Sequence, residues 1–128
     1  MKNIFLIAPY NIDGQYIAKK KIINKLCNDL KIELLIAEDS ITGTSLNALE
    51  TLELIKQCEF AIADLSYERP SCYYEVGFMQ ALNKKVYLIS ESNTIIHQLL
   101  NKNNIKFYSN LIDYHYLIEE ILRKEKIY

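Results

Sequence analysis

Short apolar runs alternate along this chain with longer stretches in which apolar residues recur every three or four positions. IFLIA (4–8) ends at Pro9, and IELLIA (32–37), FAIADL (60–65), VYLIS (86–90) and IKFYS (105–109) repeat the same signature. Continuous runs of this length predict strands buried on both faces. Between them, residues 15–30 carry Tyr16, Ile23, Leu26, Cys27 and Leu30 at helical spacing, with lysines opposite. Ser45–Gln57 repeats the period with Ala48, Leu52 and Ile55, and Tyr73–Asn83 reads as a third helix. A short helix is expected around Thr94–Asn101, and Tyr114, Leu117, Ile118, Ile121 and Leu122 give a last helix one apolar stripe.

Five strands alternating with helices imply right-handed crossovers and a parallel sheet covered on both faces. The expected fold is α/β, a flavodoxin-like doubly wound five-stranded sheet of order 2-1-3-4-5. With 128 residues, no internal repeat and no linker, residues 1–128 are expected to form a single domain. Ligands of such sheets bind beyond the carboxyl ends of the strands near the switch point. The loops beginning at Pro9 and Asp64 lie there.

A formal charge of −1 supplies no basic excess for a nucleic acid polymer. The Lys19-Lys20-Lys21 triplet is read as a solvated helix face. Cys27, Cys58 and Cys72 have no CxxC spacing, so neither a zinc site nor a disulfide framework is expected. Cys27 and Cys58 read as core, whereas Cys72 beside a helix start is either core or a reactive thiol. The first apolar run is too short for a signal segment, and no run approaches a membrane span. A cytoplasmic protein without membrane contact is the expectation.

The segment DLSYERPSCYYEVG (64–77) concentrates the candidate chemistry. Asp64 either points into the crevice or closes an Asx turn. Glu75, read in the first turn of its helix, is either a dipole-stabilised carboxylate, with Cys72 in a degraded capping box, or a nucleophile kept ionised by that dipole. Gly77 is costly inside a helix, so close approach to the first strand or to a ligand should compensate. Tyr10 is either a plain loop aromatic or a hydrogen-bonding and stacking group. ITGTS (41–45) looks like a phosphate-cradling turn but follows the second strand, and a helix N-cap at Thr44 or Ser45 explains it more simply. His97 and His115, expected on helix surfaces far apart, have no metal partner at ligand spacing. APYN and YSN stand where a phosphoacceptor receiver domain needs its acidic pair and its lysine, and no GxGxxG occurs.

ADLSYERPSCYYEVGFMQALNKKVYLIS (63–90), together with IFLIAPYN (4–11), resembles the motif set of nucleoside 2-deoxyribosyltransferase-like proteins, a group related to TIR-like nucleotide-processing domains. The resemblance implies cleavage or transfer of an N-glycosidic bond in a nucleoside or nucleotide. It implies Glu75 as nucleophile, Asp64 as the acid assisting the leaving base, and Tyr10 as an orienting group. Ala8, Pro9, Asn11, Ser66, Ser71, Tyr74 and Gly77 fall where substrate contacts are implied. No metal or other cofactor is implied, and a homo-oligomer is. Ser71 and Cys72 depart from the usual asparagine and valine. The alternative is a TIR-like module of antiphage defence that binds a nucleotide signal or cleaves NAD.

Overall fold

The computed structural model describes residues 2–36, 48–97 and 104–126. Its elements run β1 (Asn3–Ile7), α1 (Tyr16–Asp29), β2 (Glu33–Ile36), α2 (Ala48–Gln57), β3 (Phe60–Asp64), a 3-10 turn (Ser66–Glu68), α3 (Pro70–Ala81), β4 (Lys85–Glu91), β5 (Ile105–Tyr108) and α4 (Leu111–Lys126). The strands pair in parallel in the order β2-β1-β3-β4-β5, as the alternation predicts.

The period-2 alternation of the strands divides the core. Ile4, Leu6, Phe60 and Ile62 pack with Ile23, Leu26 and Cys27 of α1 and with Tyr114, Ile118 and Leu122 of α4. Phe5, Ile7, Ala61 and Ala63 face the other way, against Ile55 of α2 and Cys72, Val76 and Met79 of α3. Two layers of helices thus cover one sheet, and the carboxyl ends of β1, β3, β4 and β5 lie along one edge. Among the described residues, no helix is long and apolar enough to cross a membrane.

Four expectations change. α3 begins at Pro70 rather than Tyr73, because proline's missing N–H and fixed φ suit the first helical position. Glu75 is therefore its sixth residue, in the second turn, beyond the strongest part of the helix dipole. Arg69 is the N-cap and makes no side-chain capping bond, so Cys72 and Glu75 form no capping box. Thr94–His97 is not helical, His97 included; its backbone N–H donates to Glu68 at 2.7 Å. The remainder of that expected helix, and the ITGTS turn, lie outside the described residues.

Candidate active site

The turn joining β3 to α3 is backbone-strained. Tyr67 and Glu68 have φ of 66° and 46°, left-handed values that non-glycine residues seldom adopt and that cost of order 1–3 kcal/mol each. Glu68 is held there from both sides. Its Oε1 accepts from Tyr73 Oη at 2.9 Å, and Oε2 lies 3.0 Å from His97 Nδ1. Strain maintained at the switch-point loop is a feature of functional sites.

Asp64 ends β3 and is 2% exposed. Its Oδ1 accepts from Ser66 N (3.0 Å) and Ser66 Oγ (2.6 Å), and its Oδ2 accepts from Tyr108 Oη at 2.6 Å. The Asx turn is therefore present, but as part of a larger buried network. Lys19 Nζ donates to Asp13 Oδ2 (2.6 Å), Tyr108 Oη (2.7 Å) and Glu91 Oε1 (2.9 Å), and lies 3.8 Å from Asp64 Oδ2. The loop after β1, α1, and the ends of β3, β4 and β5 are tied together through these groups.

Lys19 is 3% exposed, which corrects its assignment to a solvated face. Position 19 lies three residues after Tyr16 and four before Ile23, on the inward stripe of α1. Burial lowers the pKa of the Lys19 ammonium, but its hydrogen bonds to Asp13 and Glu91 and the charges of Asp64 and Asp13 outweigh it, leaving the pKa raised. Burial raises that of Asp64, against the opposing pull of Ser66, Tyr108 and Lys19. The Tyr67 phenol is raised chiefly by the charge of Glu91, with burial and Asp13 adding, so it sits in the field of the same network.

Glu75 is the one charged residue of α3 and is half-buried. It has no hydrogen-bond or ion-pair partner among the described residues, and burial pushes its pKa from 4.5 up to about 7. This corrects the expectation that the helix dipole keeps it fully ionised at neutral pH: in the second turn, desolvation prevails.

Asp64 and the helix that carries Glu75 lie on different sides of the sheet. Phe60, Ile62 and Asp64 alternate toward α1 and α4, whereas α3 packs on the opposite face. Neither carboxylate contributes to the shift of the other, so burial, not mutual repulsion, is what raises each. Their charges do meet at Cys72. This thiol is 1% exposed and is pushed up to about 12 by burial first, then by Glu75 and Asp64. Cys72 is thus an inert core residue, and the reactive-thiol alternative fails.

The remaining candidates spread along the same edge. Pro9 is buried, Ala8 and Tyr10 are half-buried, and Asn11 is exposed. The Tyr10 ring lies 6.1 Å from that of Tyr16, tilted by 57°. Ser66 is fully buried, its hydroxyl donating to Asp64 and accepting from Glu91 N at 2.9 Å. Ser71 and Tyr74 are exposed and flank Glu75 on α3, with Tyr74 packed edge-on against Phe78 at 4.6 Å. Gly77 is exposed, and a Cβ built there meets nothing within 4 Å. The expected close approach to β1 is absent, and Gly77 points roughly 160° around the helix from Glu75.

Sequence reasoning missed Asp13, Lys19, Glu91 and Tyr108. A lysine on the apolar stripe of α1 was the one available signal. No group of His, Cys, Asp or Glu among the described residues could hold a metal ion. Two surface hollows of about 350 and 360 Å³ lie elsewhere, one beside Cys27, Lys31 and Leu34, the other beside Ile22, His115 and Tyr116. The first adjoins the amino end of β2, opposite the edge where open α/β sheets bind ligands.

No protein-family model and no curated protein sequence matches the chain. Solved structures do share its fold. A 2-deoxyribosyltransferase from Bacillus psychrosaccharolyticus aligns with TM-score 0.64 and 18% identity over 88% of this chain and 90% of that one. A Clostridium botulinum CMP N-glycosidase aligns with TM-score 0.64 and 19% identity over 94% and 99%. A response regulator receiver domain protein from Bacillus halodurans aligns with TM-score 0.55 and 9% identity over 93% and 95%. At these identities the likeness establishes the fold, and nothing in these neighbours supports a link to TIR-like domains.

Proposed function

We propose that this protein cleaves or transfers the N-glycosidic bond of a nucleoside or nucleotide, with Glu75 as a carboxylate nucleophile. The observation that carries this reading is Glu75 itself: a half-buried carboxylate with no partner among the described residues, in the PSCYYEVG segment at the switch-point edge. The fold shared with a deoxyribosyltransferase and an N-glycosidase supports it.

The chemistry asks for such a group. The carboxylate attacks the anomeric carbon as the bond to the base breaks, and the bonding pair leaves with the base, which takes a proton. The resulting glycosyl ester is opened by water in hydrolysis or by a second base in transfer. An oxocarbenium-like transition state is stabilised by the adjacent negative charge. In this reading Asp64 manages the proton of the base and Tyr10 orients the sugar. Ala8, Pro9, Asn11, Ser71 and Tyr74 line the substrate, and Ser66 and Gly77 act at most indirectly. Self-association belongs to the reading, and a single-chain mass in sedimentation would remove it. Three buried thiols suit a reducing cytoplasm.

The test is base release from a panel of nucleosides, nucleoside monophosphates and NAD, with and without a second base as acceptor. Wild type should release base and Glu75→Gln should not. One observation favours a second reading, a nucleotide-binding module without turnover: both oxygens of Asp64 are engaged and the group is sealed from solvent. Calorimetry showing tight nucleotide binding that survives Glu75→Gln, with no base released, would select it.

A further inference from the structure

We propose that Lys19 and Tyr108 are positioning residues for Asp64: an ammonium carried by α1 and a phenol carried by β5 hold the β3 carboxylate as a fixed anion at the sheet edge. The consequence for turnover rests on the proposed role of Asp64, whereas the effect on the Asp64 side chain itself does not.

The geometry is that of a wired group rather than a casual contact. Lys19 has three N–H donors, and all three are used, on Asp13, Glu91 and Tyr108. The Tyr108 hydroxyl accepts from Lys19 at 2.7 Å and passes its own hydrogen to Asp64 at 2.6 Å. It also lies 3.3 Å from Ser66 Oγ. A phenol placed between a cation and an anion polarises toward both, which strengthens each bond in the chain. Among the described residues the other hydrogen bonds to Asp64 come from Ser66, a neutral donor, in a place where an uncompensated charge is strongly disfavoured.

The charge count explains why Lys19 matters. Asp13, Asp64 and Glu91 surround it, three carboxyls to one ammonium. From α4, the Tyr114 ring lies 5.8 Å from Nζ, and the Tyr108 ring itself lies 4.9 Å away. The Tyr67 phenol feels Glu91, Asp13, Lys19 and Asp64 together. Without Lys19, no cation faces the three acids among these groups, and Asp64, with only the neutral donors Ser66 and Tyr108 left, becomes a neutral carboxyl. Without the Tyr108 hydroxyl, Asp64 loses its hydrogen-bonded link to the ammonium, which remains 3.8 Å away, and a donor that fixes its plane.

The experiment is carboxyl 13C NMR titration of Asp64, assigned by comparison with Asp64→Asn, in wild type, Tyr108→Phe and Lys19→Met. Tyr108→Phe removes one oxygen and keeps the ring in the core, so it decides the matter if Lys19→Met fails to fold. The Asp64 midpoint should rise by about one pH unit or more in Tyr108→Phe and further in Lys19→Met. The limb of the pH profile of base release that Asp64 sets should move to higher pH by the same interval. An unchanged Asp64 midpoint in the folded variants overturns the inference, because a purely structural clamp would not set its charge. If wild type releases no base from any substrate, the proposed reaction fails while the titration still decides the role of Lys19 and Tyr108.

Discussion

Replacing Glu75 by glutamine should make the protein more stable at pH 8 while removing the proposed base release. The carboxyl titrates near 4.5 when exposed in the unfolded chain and at about 7 in the folded protein, because burial disfavours the anion. The folded form therefore holds the proton more tightly. This contribution to stability is complete below pH 4.5 and is lost as pH rises through 7. At about 1.4 kcal/mol per pH unit the full displacement is worth about 3 kcal/mol, and residual contact with water reduces this to roughly 2 kcal/mol. Glutamine has the same shape and never ionises, so it escapes the loss. Urea unfolding of wild type and Glu75→Gln at pH 4.5 and pH 8 measures the difference directly. The gap should shift toward the variant by roughly 2 kcal/mol between the two pH values, equivalent to roughly 6–10 °C in Tm for a chain of this size. A gap independent of pH would refute the argument. A shift toward wild type at pH 8 would do so more strongly, since it would mean that the carboxylate has a cation partner.

Other consequences are simpler. Gly77→Ala should stabilise the chain by about 0.5–1 kcal/mol in thermal or urea unfolding, since the helix gains a better former and the new methyl meets nothing within 4 Å. A loss of stability would show that a neighbour occupies that space. Cys27, Cys58 and Cys72 are each 1% exposed, so a thiol reagent should label none of them in the native protein and all three in denaturant. Rapid native labelling of Cys72 would contradict its burial.

The sheet was legible because each strand is a short apolar run and each helix carries its own period. These signals are local, and the order β2-β1-β3-β4-β5 follows from how such units pack. Lys19 was misread for an equally local reason: it stands in a triplet of lysines, and composition outweighed its place between Tyr16 and Ile23. Its partners leave no periodic trace. Asp13 and Tyr108 are far apart in sequence and both reach Lys19 only because parallel strands bring their carboxyl ends to one edge. The apolar pattern starts α3 at Tyr73, whereas Pro70 at its first position places Glu75 one turn further in. Thr94–His97 has helix-compatible residues, yet the His97 backbone N–H is committed to Glu68 across the switch-point loop, a contact no local pattern announces. Asp64 and Glu75 were both visible as candidates. That Asp64 turns toward α1 and α4 follows from alternation along β3, and that Glu75 is carried by a helix on the other face follows from the crossover, neither of which a motif displays.

The central claim is that the Glu75 carboxylate attacks the sugar. Its most direct test is rapid quenching of the protein during turnover of a nucleoside or nucleotide, followed by peptide mass analysis alongside base-release rates for wild type and Glu75→Gln. A sugar adduct confined to the Glu75 peptide of wild type is predicted, with release by the variant slowed roughly 10³-fold or more. Base release by Glu75→Gln at the wild-type rate, or an adduct on another residue, would contradict the account.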